Sequence, residues 1–204
     1  DDPALQTTAL EIISKHNGWA KEMIALLRTW LTEPLPVDPD RADTARLSVL
    51  RGVLLAQSSD AEIQQLIAES LNRTKLPVSM RLLLLEVMQR SRVETFPSSW
   101  QTTLKHNLQH NNRDVRLQAV RIVQDRKFDA YDSQLKQAVL SETEPADLRV
   151  EVLIAIAPRL DSVDGKLFDF VTGRFSEAVA PLDRLAAARA LADSPLTDKQ
   201  LLQL

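Results

Sequence analysis

Apolar residues recur along this chain in a helical spacing that repeats about every 35 residues. The pattern is clearest in residues 112–124, where an acidic residue opens the segment and Arg116 follows two places later. Apolar residues then stand one, four and seven places after the arginine, at Leu117, Val120 and Val123. This spacing places them on one face of a helix and predicts an amphipathic segment.

Four further arginines carry apolar residues at the same three offsets. The series is Arg46, Arg81, Arg116, Arg149 and Arg184, and the new apolar positions are Leu47, Leu50, Val53, Leu82, Leu85, Met88, Val150, Leu153, Ile156, Leu185, Ala188 and Leu191. Successive arginines are 35, 35, 33 and 35 residues apart. A fixed period in this range indicates stacked supersecondary units that bury one another's apolar faces.

The fold class that follows is all-α, a right-handed α-α superhelix of about five to six helical hairpins. From residue 42 the predicted helices are 42–57, 60–73, 77–91, 98–110, 113–124, 131–141, 146–157, 163–176 and 181–192, with another beginning at Thr197. Before them, 2–15 and 19–31 read as helices of a degenerate unit in residues 1–40. Regular repeats occupy 41–194 and an incomplete one 195–204, all within a single domain 1–204.

Sequence signals for helix starts accompany these segments. Three of them have the capping-box spacing, in which a hydroxyl is followed three residues later by Glu or Gln: Ser59 with Glu62, Ser98 with Gln101 and Thr197 with Gln200. Prolines at 77, 145 and 181 lie in or beside first helical turns, where a missing N–H costs nothing.

Composition narrows the function classes. The net charge of −3 lacks the basic footprint of nucleic-acid binding proteins, so we expect no nucleic-acid partner. With no cysteine, a disulfide framework, a thiolate nucleophile and a Cys-based metal site are all excluded. No run of 18 apolar residues occurs, so no membrane insertion is expected. The start at Asp1 without Met is read as a processed or excised segment.

The paired helices resemble HEAT repeats. Asp114-Val115-Arg116 followed by Ala119 matches the opening of the family's second helix, and Asp147-Leu148-Arg149 agrees with it. The resemblance covers nearly the whole chain and implies a generic interaction platform.

A narrower resemblance concerns large exported bacterial proteins. His16-Asn17-Gly18-Trp19, the helix 184–191 and the segment 196–202 resemble the helical part of PVC-type putative membrane-bound dehydrogenases. That resemblance implies a periplasmic location, with a propeller on one side and a haem c domain on the other. The implied role is a non-catalytic spacer and interaction module whose partner is a protein, a peptide or a flanking domain, without catalytic residues, cofactor or metal of its own. The residues alone leave the compartment open.

The arginine series is interpreted as structural. Each arginine lies beside the buried stripe, where its stem can pack and its guanidinium can pair with capping aspartates such as Asp114 and Asp147. Positions two and five after each arginine turn away from that stripe. They predict an interaction face of mixed charge with isolated apolar residues, in which the principal members are Arg51, Leu83, Glu86, Arg121, Glu151, Ile154 and Arg189.

Two enzymatic alternatives stay open. His106 and His110 stand four residues apart on a helix, which is a spacing used by helical metal sites, although two ligands do not close a site. Trp19, Trp30 and Trp100 invite comparison with HEAT-fold DNA glycosylases. Their apolar neighbours at helical spacing favour a place in the core between units.

The sequence also predicts that residues 195–204 begin a further repeat. Leu191, Leu196, Leu201, Leu202 and Leu204 would then be partly open. We expect that extending the chain by roughly one repeat would raise its melting temperature and reduce self-association.

Overall fold

The computed structural model describes Thr8, residues 20–32 and residues 42–204, with the side chains of 20–22 and 42–46 left aside. It contains α1 (Ala20–Thr32), α2 (Ala42–Ala56), α3 (Ala61–Leu71), α4 (Val78–Arg90), α5 (Ser98–Asn107), α6 (Arg113–Arg126), α7 (Asp132–Leu140), α8 (Ala146–Ile156), α9 (Gly165–Thr172), α10 (Pro181–Ala192) and α11 (Asp198–Leu201). Short 3-10 turns cover Ala157–Arg159 and Gly173–Phe175. No strand occurs in these ranges, so the expectation of an all-helical chain is confirmed for them.

Every helix predicted from residue 42 onward is present, with ends displaced by no more than four residues. The largest displacement is at α9, because Asp164 caps its start and Gly173 turns the chain into a 3-10 segment. The helix 19–31 is observed as α1, Ala20–Thr32. The predicted helix 2–15 and the turn at Asn17-Gly18 lie outside the described residues, except for Thr8.

Only one of the three predicted capping boxes forms. Thr197 and Gln200 exchange both bonds. At α3 the cap is Asp60, whose carboxylate accepts from the N–H groups of Glu62 and Ile63, so the prediction of Ser59 was wrong. At α5 the cap residue is Pro97 and no side chain caps the helix. There Gln101 donates to the carbonyl of Phe96 instead of closing a box with Ser98.

The chain divides into two compact units, residues 1–118 and 119–204, with the division inside α6. In the first unit like helices pack on like: α1 contacts α3, α3 contacts α5, and α2 contacts α4. Because α3 also contacts α4, these helices form two layers joined by hairpins, as a repeat of two helices requires.

The second unit follows the same scheme. The α7–α8 and α9–α10 pairs form hairpins, and α10 packs on α8. Gln200 fixes α11, since its buried amide donates to the carbonyl of Val163 at 2.9 Å. Helical repeat-like packing of this kind is compatible with an α-solenoid.

Aliphatic side chains fill the interior, as the composition indicates. Trp100 and Trp30 are buried, and the Trp100 indole donates to the carbonyl of Gln64 on α3 at 2.8 Å. The prediction that these tryptophans belong to the core between helical layers is therefore confirmed, whereas Trp19 lies outside the described residues.

The buried stripe of the second helices includes positions that the predicted stripe left out. The residues three, six and seven places after the arginine are buried in every second helix from Arg81 onward. By contrast, the residue at offset one is half-buried at Leu82 and exposed at Leu185, and the residue at offset four is exposed at Ala188. Successive residues are about 100° apart around the helix axis, so the three buried positions lie within about 100° of one another on one side of the arginine. Offset one lies on the other side of the arginine. The predicted register is thus correct at offset seven throughout and at offset four except for Ala188, whereas at offset one only Leu117 and Val150 are buried.

A left-handed residue ends α6 and sets the geometry of the next hairpin. Lys127 has φ 53°, and the Phe128 N–H bonds back to the carbonyl of Val123 at 3.1 Å, closing the helix. The Arg159 guanidinium donates hydrogen bonds to the Phe128 carbonyl and to both carboxylate oxygens of Asp132. The shortest of these bonds, to Oδ1 of Asp132, is 2.7 Å. Hydrogen bonding to Asp132 raises the pKa of Arg159.

We expect Lys127→Gly to stabilise the protein by up to about 1 kcal/mol, because a Cβ in the left-handed region clashes with the backbone and glycine has none. Urea unfolding followed by circular dichroism measures the shift in midpoint. The control Lys127→Ala removes the charge but retains the Cβ. An equal gain in both variants would assign the effect to charge and contradict the conformational explanation.

Candidate interaction surface

Arg81 joins three helices through neutral oxygens. The side chain is 6 % exposed, and its guanidinium donates to the carbonyl of Leu71 at 2.6 Å and to that of Arg73 at 2.9 Å. A third bond, of 3.1 Å, reaches Oδ1 of Asn107, the last residue of α5. No carboxylate of the described residues forms an ion pair with Arg81. The C-terminal carbonyls of α3, at the negative end of the helix dipole, stabilise the buried cation instead.

Arg149 occupies the equivalent position in the second unit and makes the equivalent contact. Its Nε donates to the carbonyl of Val139, near the end of α7, at 2.7 Å. The acceptor lies ten residues before the arginine, the same distance that separates Leu71 from Arg81. The Arg149 guanidinium also lies 3.7 Å from the ring centre of Phe170 on α9. Each arginine therefore links one first helix to the next first helix within its unit.

These contacts revise the interpretation of the arginine series. The structural role assigned to the series agrees with what Arg81 and Arg149 do, but their partners are backbone, Asn107 and Phe170. The pairing of the series with Asp147 stays a prediction, and Asp114 forms an ion pair with the adjacent Arg113 at 3.0 Å. Arg116 and Arg184 are half-buried, and the side chain of Arg46 is not among those described.

The predicted interaction face is only partly open. Arg121 and Arg189 are exposed, and Arg51, Glu86 and Glu151 are half-buried. Leu83 and Ile154 are 3 % and 4 % exposed, so the expectation that they line this face is wrong. Both belong to second helices, α4 and α8, that pack against a hairpin partner and against another second helix. Contact on more than one side buries their apolar residues even at offsets two and five.

Two members of that face form an ion pair between equivalent positions. Nε of Arg51 on α2 lies 2.9 Å from Oε2 of Glu86 on α4, and each residue is five places after its arginine of the series. Arg90 reaches the other oxygen of Glu86 at 2.9 Å. Stacked second helices in the first unit thus present opposite charges to each other at one repeat position.

The second unit carries a cluster of exposed leucines that we call the leucine patch: Leu182, Leu185, Leu201, Leu202 and Leu204, at 78, 66, 55, 90 and 61 % exposure. Beside it lies a groove of about 530 Å³ lined by Phe175, Ala188, Leu191, Leu196, Leu201 and Leu204 among others. The expectation of open leucines holds for Leu201, Leu202 and Leu204, whereas Leu191 is buried at 3 %. Leu182 and Leu185 were not anticipated. Exposed leucines beside an apolar groove are typical of sites of interaction.

The histidine pair does not form a metal centre with any third ligand in the described part of the chain, where no group of three His, Asp or Glu side chains could hold an ion. His106 is exposed.

Nδ1 of His110 accepts the N–H of Asn112 at 3.0 Å, which holds the neutral ring in the tautomer with its proton on Nε2. Burial lowers the pKa of His110, and the charge of Arg81 lowers it further.

A second cavity, of about 230 Å³, lies in the second unit. Apolar residues including Val139, Ile156 and Leu167 line it together with Lys136, Asp161 and Asp164. Asp164 is engaged in capping α9, where its carboxylate accepts the Leu167 N–H at 2.7 Å.

None of the described helices has the length and apolar character needed to cross a bilayer.

We expect Arg81→Met to destabilise the protein by about 1–3 kcal/mol, since methionine fills the space of the stem but leaves the Leu71 carbonyl and Asn107 without their donor. The free energy of unfolding in urea measures this. Arg90→Met, which removes an exposed arginine from an i,i+4 pair, should cost about 0.5 kcal/mol or less. Similar losses in the two variants would show that the bonds of Arg81 contribute little.

A pH dependence follows from His110. Because its pKa in the fold lies below the 6.5 of the free side chain, unfolding takes up a proton, and stability falls as pH drops through the range below 6.5. Unfolding free energies between pH 8 and pH 5 should show this slope, and His110→Gln should flatten it. His106→Gln leaves the bond between His110 and Asn112 in place and serves as the control. An unchanged slope in His110→Gln would assign the acid sensitivity to other groups.

Comparison of the chain with protein-family models, with curated protein sequences and with solved structures gives no match.

Proposed function

We propose that this protein is a non-catalytic helical-repeat module that acts as a spacer and offers a surface to a protein partner. The observation that carries the proposal is the repeated link between first helices. Arg81 and Arg149 each bond a carbonyl ten residues earlier and then contact the following first helix, through Asn107 and Phe170 respectively. A link that recurs at one repeat position fixes the offset between successive hairpins, which is what a spacer of defined length requires.

We propose a right-handed α-α superhelix as the finer description of the fold, and the packing of like helices within the units supports its stacked character. In the first unit first helices contact first helices and second helices contact second helices, and in the second unit the second helices α8 and α10 contact each other. A closed bundle would instead surround one central core, with each helix against dissimilar neighbours. In the second unit the exposed positions of the second helices, Arg121 and Arg189, stay available to a partner.

The charges on that layer favour a protein partner over a polyanion. Arg121 and Arg189 are exposed, but Arg51 is neutralised by Glu86, and the net charge of the chain is −3. Mixed charges beside exposed leucines match the composition of protein interfaces. We place the module in an exported multidomain protein on the PVC-type resemblance alone, and a Cys-x-x-Cys-His motif elsewhere in the same reading frame would support that placement.

Small-angle X-ray scattering tests the array. A compact chain of 204 residues has a radius of gyration of about 17 Å. Five to six hairpins stacked about 10 Å apart span roughly 50–60 Å, and the radius of gyration should then be about 20 Å, with a skewed distance distribution. A symmetrical distribution with a radius near the compact value would refute the spacer. The variant Arg81→Met, measured under conditions where it stays folded, should broaden the distribution if the links set the spacing.

A further inference from the structure

The cavity of about 230 Å³ in the second unit lies among helices that already have their hairpin partners. Val139 on α7, Ile156 on α8 and Leu167 on α9 form its apolar walls, and all three are buried. Because α7 pairs with α8 and α9 pairs with α10, the cavity is lined by two complete hairpins of one unit. The segment 160–164, which joins these hairpins, lines the cavity as well.

Hydrogen bonds hold two of these walls in place. The carbonyl of Val139 accepts Nε of Arg149 at 2.7 Å, which fixes the end of α7. The N–H of Leu167 donates to the carboxylate of Asp164 at 2.7 Å, which fixes the start of α9. The apolar side chains are therefore positioned before any ligand enters, and a preformed pocket avoids the entropic cost of ordering its walls on binding.

Two of the three charged side chains that line the cavity, Lys136 and Asp161, are unpaired, while the third, Asp164, caps α9. Beside them Arg159 binds Asp132 at 2.7 Å and so joins the segment after α8 to α7. Lys136 follows Asp132 by one helical turn, and Asp161 follows Arg159 by two residues. Neither Lys136 nor Asp161 forms an ion pair or a side-chain hydrogen bond within the part of the chain that the structure describes. The cavity thus presents one open cation and one open anion beside its apolar walls.

The volume of the cavity limits the ligand. An apolar cavity of about 150 Å³ accepts benzene, and pockets for drug-sized ligands begin at about 300 Å³. The value here, about 230 Å³, lies between the two. It gives room for one ring or one branched aliphatic group with a compact polar head. The apolar walls favour burial of such a group, and the two open charges favour a head that carries both signs.

We propose that this cavity binds a small zwitterion with an apolar side chain, of the α-amino acid class. The ligand side chain contacts Val139, Ile156 and Leu167. Its carboxylate pairs with Lys136 and its ammonium group with Asp161. One end of a peptide carries only one of these charges, so both pairings require the free amino acid. The site goes beyond the proposed function, because ligand binding between two hairpins does not depend on whether the module acts as a spacer.

Titration of the isotope-labelled protein with L-phenylalanine and, separately, with L-leucine tests the proposal by NMR. At least one of them should bind saturably, with a Kd in the millimolar range or tighter as expected for ligands of this size. The shifted amide signals should be concentrated in residues 136–140 and 156–167. Glycine has both charges but no side chain, so it should bind at least about tenfold more weakly. The N-acetyl and amide derivatives of the amino acid that binds each lack one charge and should also bind more weakly.

Two variants assign the charges to their partners. Lys136→Gln should weaken binding of the free amino acid by roughly two- to tenfold. It should bind the amide derivative, which has no carboxylate, as well as the unaltered protein does. Asp161→Asn should weaken binding of the free amino acid to a similar extent and leave binding of the N-acetyl derivative unchanged. Lys166→Gln and Asp169→Asn, at exposed residues of α9 outside the cavity lining, are the matched controls and should leave all binding unchanged.

The inference would be overturned if neither amino acid bound saturably, or if glycine bound as tightly as the larger ligand. A derivative with one charge that bound as well as the zwitterion would also overturn it, and would identify the end of a peptide as the ligand. Equal losses in the matched controls would show that the variants act through net charge and not through this site. Circular dichroism should be the same for all four variants, since none of them changes a buried side chain.

Discussion

The guanidinium of Arg81, buried without a counter-ion, is the interaction on which the packing of the first unit depends. Removing a cation from water is costly, and here the compensation comes from the last carbonyl of α3, the carbonyl of Arg73 beyond it and an amide oxygen. The carbonyl of Leu71 would otherwise be orphaned at the end of α3, whereas that of Arg73 also accepts the N–H of Leu76. The planar group satisfies acceptors on two helices at once, which a lysine ammonium on a flexible stem does less well. One side chain thereby fixes the angle of a hairpin and the position of the next one.

Arg149 shows which part of this device is required and which part varies. The bond to the carbonyl ten residues earlier is retained, because the hairpin geometry brings the end of one helix to the start of the next at the same place. The contact with the following first helix changes from an amide, Asn107, to an aromatic ring, Phe170. A guanidinium accommodates both, by hydrogen bonding at its edge and by stacking at its face. Repeats can thus diverge in sequence while their spacing is kept.

The sequence predicted the elements well and the partners of individual side chains poorly. Local signals, namely apolar spacing, prolines and the Thr197 capping box, depend on neighbours within a few residues, and they located every helix from residue 42 onward. The acceptors of Arg81 and the burial of Leu83 and Ile154 depend on packing between helices, which a period of 35 residues does not specify. The run Leu82-Leu83-Leu84-Leu85 was the available signal, since four consecutive leucines cannot all belong to one face. The exposure of Leu185 on α10 was missed for the same reason, because offset one was assumed to be buried in every repeat.

The separation of the linking arginines from the outer positions of the second helices has a functional consequence. Arg81 and Arg149 act at the ends of first helices, so substitutions at exposed members of offset five, such as Arg121 and Arg189, leave these links untouched, whereas Leu83 and Ile154 are buried in the packing itself. Offset five carries Glu86 where a pair is made, Ile154 where burial is completed, and Arg189 where the side chain is exposed. Each of these positions is therefore adapted to its own surroundings: a charge pair between stacked helices at Glu86, the interior at Ile154 and solvent at Arg189.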